Sequence, residues 1–78
     1  SVDARTDVYS LGASLFALLT GRRPFERRSL VETLHAVIHD PPPFPRALDA
    51  TISRGLEAVV LTCLKKAPAE RYPSMRAL

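Results

Sequence analysis

Between Asp7 and Phe25 the chain reads DVYSLGASLFALLTGRRPF, and no other stretch constrains its folding as much. From Val8 to Leu19 the apolar residues Val8, Tyr9, Leu11, Ala13, Leu15, Phe16, Ala17, Leu18 and Leu19 cover nearly every face of a helix; only Ser10, Gly12 and Ser14 interrupt them. A helix that is apolar all round is buried on all sides. Thr6 or Asp7 is placed to cap its N-terminus, and an aspartate there also suits the positive end of the helix dipole. Gly21 stands where a left-handed C-terminal residue belongs, Arg22 and Arg23 suit the negative end, and Pro24 blocks continuation. Gly12 is the odd residue, since a glycine inside a helix costs about 1 kcal/mol relative to alanine. Its presence points to the close approach of a neighbouring backbone or bulky side chain.

A chain of 78 residues is one domain at most, here residues 1–78. Such a chain buries a modest core and is marginally stable unless its helices pack well or a partner helps. It is too short to surround the Val8–Leu19 helix, so missing neighbours are expected. The start at Ser1 and the stop at Leu78, four residues after a fresh helix-start signal at Ser74, read the same way: as a piece of something longer.

The remaining pattern is helical. Ser29-Leu30-Val31-Glu32 is a capping box and opens a second helix, about Leu30 to His39. Leu30, Leu34, Val37 and Ile38 form one apolar stripe on it, so it should lie on a surface. Pro41, Pro42 and Pro43 end it, and PPPFP reads as a rigid extended connector. Ser53 can cap a third helix, about Arg54 to Lys66, where Leu56, Val59, Val60, Cys63, Leu64 and Ala67 follow helical spacing. Lys65 and Lys66 suit the C-terminal dipole of that helix, and Pro68 ends it. After the loop from Ala67 to Pro73, Ser74 starts a last helix. No strand signal stands out, so the fold class is an all-α segment.

Composition excludes several classes of function. Hydrophobic content of 46% and charged content of 24% are ordinary globular values and argue against disorder. No run approaches the roughly 18 apolar residues of a membrane span, so no membrane contact is expected within this segment. The single cysteine, Cys63, excludes an intramolecular disulfide and fits a reducing compartment. It falls on the apolar stripe of its helix, as a buried inert thiol does. The net charge of +3 is mild, and Arg22, Arg23, Arg27 and Arg28 read as a solvated loop. A helix-turn-helix needs a short interhelical turn, whereas these links are long and proline-rich; no nucleic-acid partner is expected. Glu32, His35 and His39 share one helix face, but the HExxH pattern of a zinc helix is absent, and they read as solvated. There is no glycine-rich phosphate loop and no nucleophile motif around any serine.

Two motifs then point to a family. Asp7-Val8-Tyr9-Ser10-Leu11-Gly12 with Leu18-Leu19-Thr20-Gly21-Arg22-Arg23-Pro24-Phe25 resembles the D-x-Y-S-L-G … L-L-T-G-x-x-P-F pattern in the central helix of the large lobe of serine/threonine protein kinases. Lys66-Ala67-Pro68-Ala69-Glu70-Arg71-Tyr72-Pro73-Ser74 resembles the K-D-P-x-x-R-Y-P-S segment that precedes the last helix of that lobe. The style is that of the eukaryotic-like kinases of bacteria. The resemblance covers nearly the whole chain but only about the last third of a kinase domain, from the central helix to the start of the last helix.

The resemblance implies a fold, an activity and roles. The fold is the helical large-lobe portion of a protein-kinase-like fold, whose parent domain is α+β. The parent is a transferase that moves the γ-phosphate of ATP, with Mg²⁺, to a serine or threonine of a protein substrate. The alternative is a pseudokinase whose large lobe serves as an interaction platform. The phosphate-covering loop, the ATP-pairing lysine, the H-R-D base and the D-F-G metal ligand are upstream motifs that do not occur here. No catalytic, cofactor-binding or metal-binding residue is therefore expected in this segment, and no kinase activity from it alone. Three residues are expected to support the active site structurally. Asp7 would hydrogen-bond the backbone of the catalytic loop. Gly12 would allow close packing of large-lobe elements. Arg71 would pair with the glutamate of the A-P-E motif that ends the activation segment, and without that partner it would be a costly unpaired guanidinium or its loop would open to water. The expected partners are the rest of the kinase domain and protein substrates, in the cytoplasm, with any membrane anchor outside this segment. The chain departs from the pattern at Ala17 and Ala67, where many members carry an acidic residue.

Overall fold

The computed structural model describes residues 4–74 and Arg76. Four α-helices follow in order, α1 (Ala4–Thr20), α2 (Leu30–His39), α3 (Pro45–Leu48) and α4 (Arg54–Cys63), and a 3-10 turn spans Pro68–Glu70. No strand occurs among the described residues. The principal packing is α1 against α4, with α3 and the 3-10 turn also against α1.

α1 starts earlier than its sequence signals suggest. Asp7 is not the cap but lies in the first turn, exposed, where its charge still suits the positive helix end. The C-terminus forms as read. Gly21 takes φ +72° and its N–H donates to the Ala17 carbonyl at 2.9 Å, and the Thr20 hydroxyl donates back to the Phe16 carbonyl at 2.8 Å. The expectation of burial on all sides does not hold for the chain by itself. Val8, Gly12 and Phe16, spaced four apart, are buried. Leu18 is 82% exposed, because α4 covers one face of α1 only.

Gly12 explains how close that cover is. A Cβ added there would fall 2.5 Å from Cys63 Cβ and 3.4 Å from Leu64 Cδ2. The missing methyl lets α4 settle onto α1 at this level. Phe16, Val60 and Leu64 close into a fully buried cluster, with Tyr9, Ala13, Leu15 and Leu19 packed around it. Cys63 is buried beside them, and desolvation raises its thiol pKa, as an inert core thiol requires.

α2 has the expected bounds, and the Ser29 hydroxyl accepts from the Glu32 N–H at 3.1 Å. It lies on the surface, as expected. Ala36 is its buried residue, while Leu30, Leu34 and Ile38 of the apolar stripe are exposed, with Val31 beside them. The helix thus buries its small residue, while its larger side chains face outward.

The proline-rich connector is extended only to Phe44. Pro45 is the first residue of α3, a helix position that suits a fixed φ and a missing N–H. α3 is tied to α4 across the chain: the Arg46 N–H donates to Glu57 Oε2 at 2.9 Å, and Arg46 Nε donates to the Ile52 carbonyl at 2.9 Å. The Ser53 hydroxyl caps α4 by accepting from the Leu56 N–H at 3.1 Å. α4 stops at Cys63, three residues short of the expected Lys66. The Leu64 N–H is shared between the carbonyls of Val60 and Leu61, which tightens the final turn. Beyond it the residue before Pro68 is driven out of helical geometry. The helix expected after Ser74 lies outside the described residues except for Arg76.

Gly12→Val should therefore lower stability by about 1–3 kcal/mol, the range for overpacking a filled core. The urea midpoint measures it, with Ser10→Ala on the exposed side of α1 as a control expected to move by less than about 0.5 kcal/mol.

Candidate functional site: the Arg71 cleft

The loop after α4 returns to the start of α1 and places Arg71 there. Its guanidinium donates from Nε to the Lys65 carbonyl at 2.7 Å, from Nη2 to the Lys66 carbonyl at 3.1 Å and from Nη1 to the Arg5 carbonyl at 3.2 Å. It also stacks over the Tyr9 ring, 4.7 Å from the centroid, within cation–π range. The expectation of an unpaired arginine or an opened loop is thus overturned. Three backbone carbonyls take the place of a carboxylate, because the loop residues Lys65 and Lys66 have left the helix and their oxygens need donors. A guanidinium carries five N–H donors, so two are left for an incoming acceptor.

Around Arg71 lies an open cleft of about 450 Å³ lined by Thr6, Tyr9, Val37, Ile38, Lys66 and Pro68. It contains two cations, Arg71 and Lys66, and two hydroxyls, those of Thr6 and Tyr9. It contains no carboxylate, imidazole or thiol among its lining residues. Such a set can hold an anionic side chain such as a carboxylate. Burial raises the Tyr9 pKa, opposed by the nearby Arg71 charge. Burial lowers the Lys66 pKa, opposed by Asp40.

The three residues singled out from the sequence are spread along α1 and the loop. Arg71 meets α1 at Arg5 and Tyr9. Asp7 is on the same first turns but solvent-exposed. Gly12 is farther along α1, facing Cys63 rather than the cleft. Sequence reasoning missed Lys66, which it assigned to the dipole of its own helix. The ammonium instead donates to the Val37 and Ala36 carbonyls at 2.6 and 3.3 Å, the last turn of α2. It missed Tyr9 and Thr6 as cleft residues too. The signal was available: Tyr9 lies inside the first motif and Lys66 opens the second.

Among the described residues no group of three or more His, Cys, Asp or Glu could hold a metal ion. His35 and His39 stack on the exposed face of α2 with ring centroids 4.5 Å apart. No helix among the described residues is long and apolar enough to cross a membrane.

No protein-family model matches the chain. Individual proteins do. It is 42% identical over 77 residues to the serine/threonine-protein kinase PksC of Streptomyces coelicolor, a match over 99% of this chain and 14% of that kinase. It is 43% identical over 76 residues to the serine/threonine-protein kinase Pkn1 of Myxococcus xanthus, covering 97% of this chain and 11% of the kinase. It is 46% identical over 72 residues to the serine/threonine-protein kinase PknB of Mycobacterium tuberculosis, covering 92% and 12%. The chain is homologous, over nearly its whole length, to one segment of bacterial serine/threonine protein kinases. It spans 11–14% of the length of these three relatives, and its helices are compatible with the helical part of the kinase large lobe.

Arg71→Ala removes three bonds from a charged donor and should destabilise the chain by about 2 kcal/mol in urea unfolding; Arg71→Lys should recover only a minor part, since an ammonium cannot span the three carbonyls. Tyr9 gives a pH signature. Its folded pKa lies above its unfolded value of about 10, so its contribution is complete below that pH and is lost as pH rises through the raised value. Lys66, whose folded pKa is lowered, acts oppositely in the alkaline range. The stability difference between the natural chain and Tyr9→Phe should therefore shrink above pH ~10, whereas a difference that stays flat would contradict the assignment.

Proposed function

We propose that this chain is the scaffold portion of the large lobe of a serine/threonine protein kinase catalytic domain. The longer protein transfers the γ-phosphate of ATP, with Mg²⁺, to serine or threonine in protein substrates. The observation that carries this reading is 42–46% identity to three such kinases over at least 92% of the chain. The Arg71 cleft supports it, because two cations beside two hydroxyls suit the glutamate of the A-P-E motif. In that arrangement the carboxylate takes the two remaining Arg71 donors while the carbonyls keep the other three.

Asp7 fits a second role. Exposed on the first turn of α1, it is free to accept from the backbone of the catalytic loop. Gly12 supports both indirectly, by letting α4 seat closely enough to anchor the loop that carries Arg71. The chain itself supplies no catalytic, ATP-binding or metal-binding group. Its partners in this reading are the catalytic loop, the activation segment and protein substrates, and its setting is the cytoplasm.

Phosphoryl transfer needs metal-bridged phosphates and a positioned base. The pure 78-residue chain should thus show no ATP-dependent phosphorylation of itself or of a generic substrate such as myelin basic protein. The longer protein should show it, with the lysine, H-R-D and D-F-G motifs encoded ahead of Ser1. Arg71→Ala in that protein should lower kcat/KM at least tenfold, about 1.4 kcal/mol. Activity from the short chain, or replacement of the upstream motifs in the longer one, would overturn the enzymatic reading.

A further inference from the structure

Among the described residues α2 is lightly held. It takes no part in the principal element packings, and Ala36 is its one buried residue. Leu30, Val31 and Ile38 are 74%, 76% and 64% exposed. At its N-terminal end the Thr33 hydroxyl accepts from the Arg27 N–H at 3.0 Å. Arg27 also faces Asp40 at 3.7 Å, but both side chains are more than two-fifths exposed, and such pairs contribute little.

Its C-terminal end is held differently. Lys66 Nζ donates to the Val37 carbonyl at 2.6 Å and to that of Ala36 at 3.3 Å, at the negative end of the helix dipole; the Ala36 carbonyl also accepts the Asp40 N–H at 2.9 Å. The same ammonium sits 4.0 Å from the centroid of the buried Phe25 ring. Phe25 belongs to the turn after α1, so one charge joins three separate parts of the chain. The carbonyl of Lys66 is in turn gripped by Arg71 Nη2 at 3.1 Å, which anchors the lysine from behind.

We propose that Lys66 is a latch that fixes α2 on the α1–α4 core, so that the charge on this one side chain sets whether the helix and its outward apolar face stay in place. The line of force runs from α1 through Arg71 to the Lys66 backbone, and from its ammonium to the last turn of α2. This goes beyond the kinase reading and rests on none of it.

Amide hydrogen exchange on the full chain tests the latch. In Lys66→Met, amides of residues 34–39 should exchange about tenfold faster or more, while amides of α4 change by less than about twofold, the pattern of a local opening. Lys66→Arg, which keeps the charge and donors, should stay within about threefold of the natural chain, and Lys65→Met should match it. Unchanged α2 exchange in Lys66→Met would overturn the proposal. Equal acceleration of α2 and α4, α2 exchange at the free-peptide rate in the natural chain, or Lys66→Arg behaving like Lys66→Met would each overturn it as well.

Discussion

The fold depends most on one cation with no carboxylate partner. Arg71 bonds the carbonyls of Arg5, Lys65 and Lys66 and stacks on Tyr9. It therefore joins the first turns of α1 to a loop 66 residues later. A loop that leaves a helix carries backbone oxygens that water or a donor must satisfy. The planar guanidinium satisfies three with one side chain, which no ammonium does. Held this way, the loop places Lys66 against α2 and covers the start of α1. The cleft, the lysine contact and the path of the chain after α4 all follow from that placement.

Gly12 is the other condition, and it acts earlier in the chain of causes. Arg71 can reach Arg5 only if α4 delivers the loop at the right height. The close approach of Cys63 to Gly12 is what sets that height. A glycine that weakens α1 by about 1 kcal/mol is offset by the packing of Phe16, Val60 and Leu64 that it permits. Local propensity and tertiary packing disagree at this residue, and packing wins.

Much of this was legible in the sequence, and the misses share a cause. The end of α1 at Gly21, the bounds of α2 and the serine caps at Ser29 and Ser53 rest on contacts within a few residues, and local signals find those. The first turn of α1, the early stop of α4 and the helical turn at Pro45 were misread. At Pro45 distant groups decide, since Glu57 and Ile52 hold Arg46; α4 ends early where the Leu64 N–H is shared between two carbonyls ahead of Pro68. For α2 the apolar stripe identified a surface helix, but periodicity does not say which residue the rest of the chain buries, and that residue is Ala36. The kinase resemblance was legible because it lies in motifs, and the roles it implied for Asp7, Gly12 and Arg71 concern contacts to other segments. Of the cleft, Arg71 was legible; Lys66 was not, because its ammonium serves a helix other than its own.

The outward apolar residues of α1 and α2 follow from the same logic. Leu18, Leu30, Val31 and Ile38 are each more than three-fifths exposed, so the chain presents more large apolar side chains than its small core absorbs. Scattered exposed apolar residues need no explanation, but a row along one helix does. In the proposed lobe α1 is the central helix, so a neighbouring segment would cover Leu18. The two helices differ in how they are held. α1 is fixed by packing at Gly12 and Phe16 as well as by Arg71 at its first turns. α2 hangs on polar contacts to backbone carbonyls, which a change of charge at Lys66 removes. The packed helix is thus the firmer of the two, and the adjustable one is the one whose apolar face points away from the core.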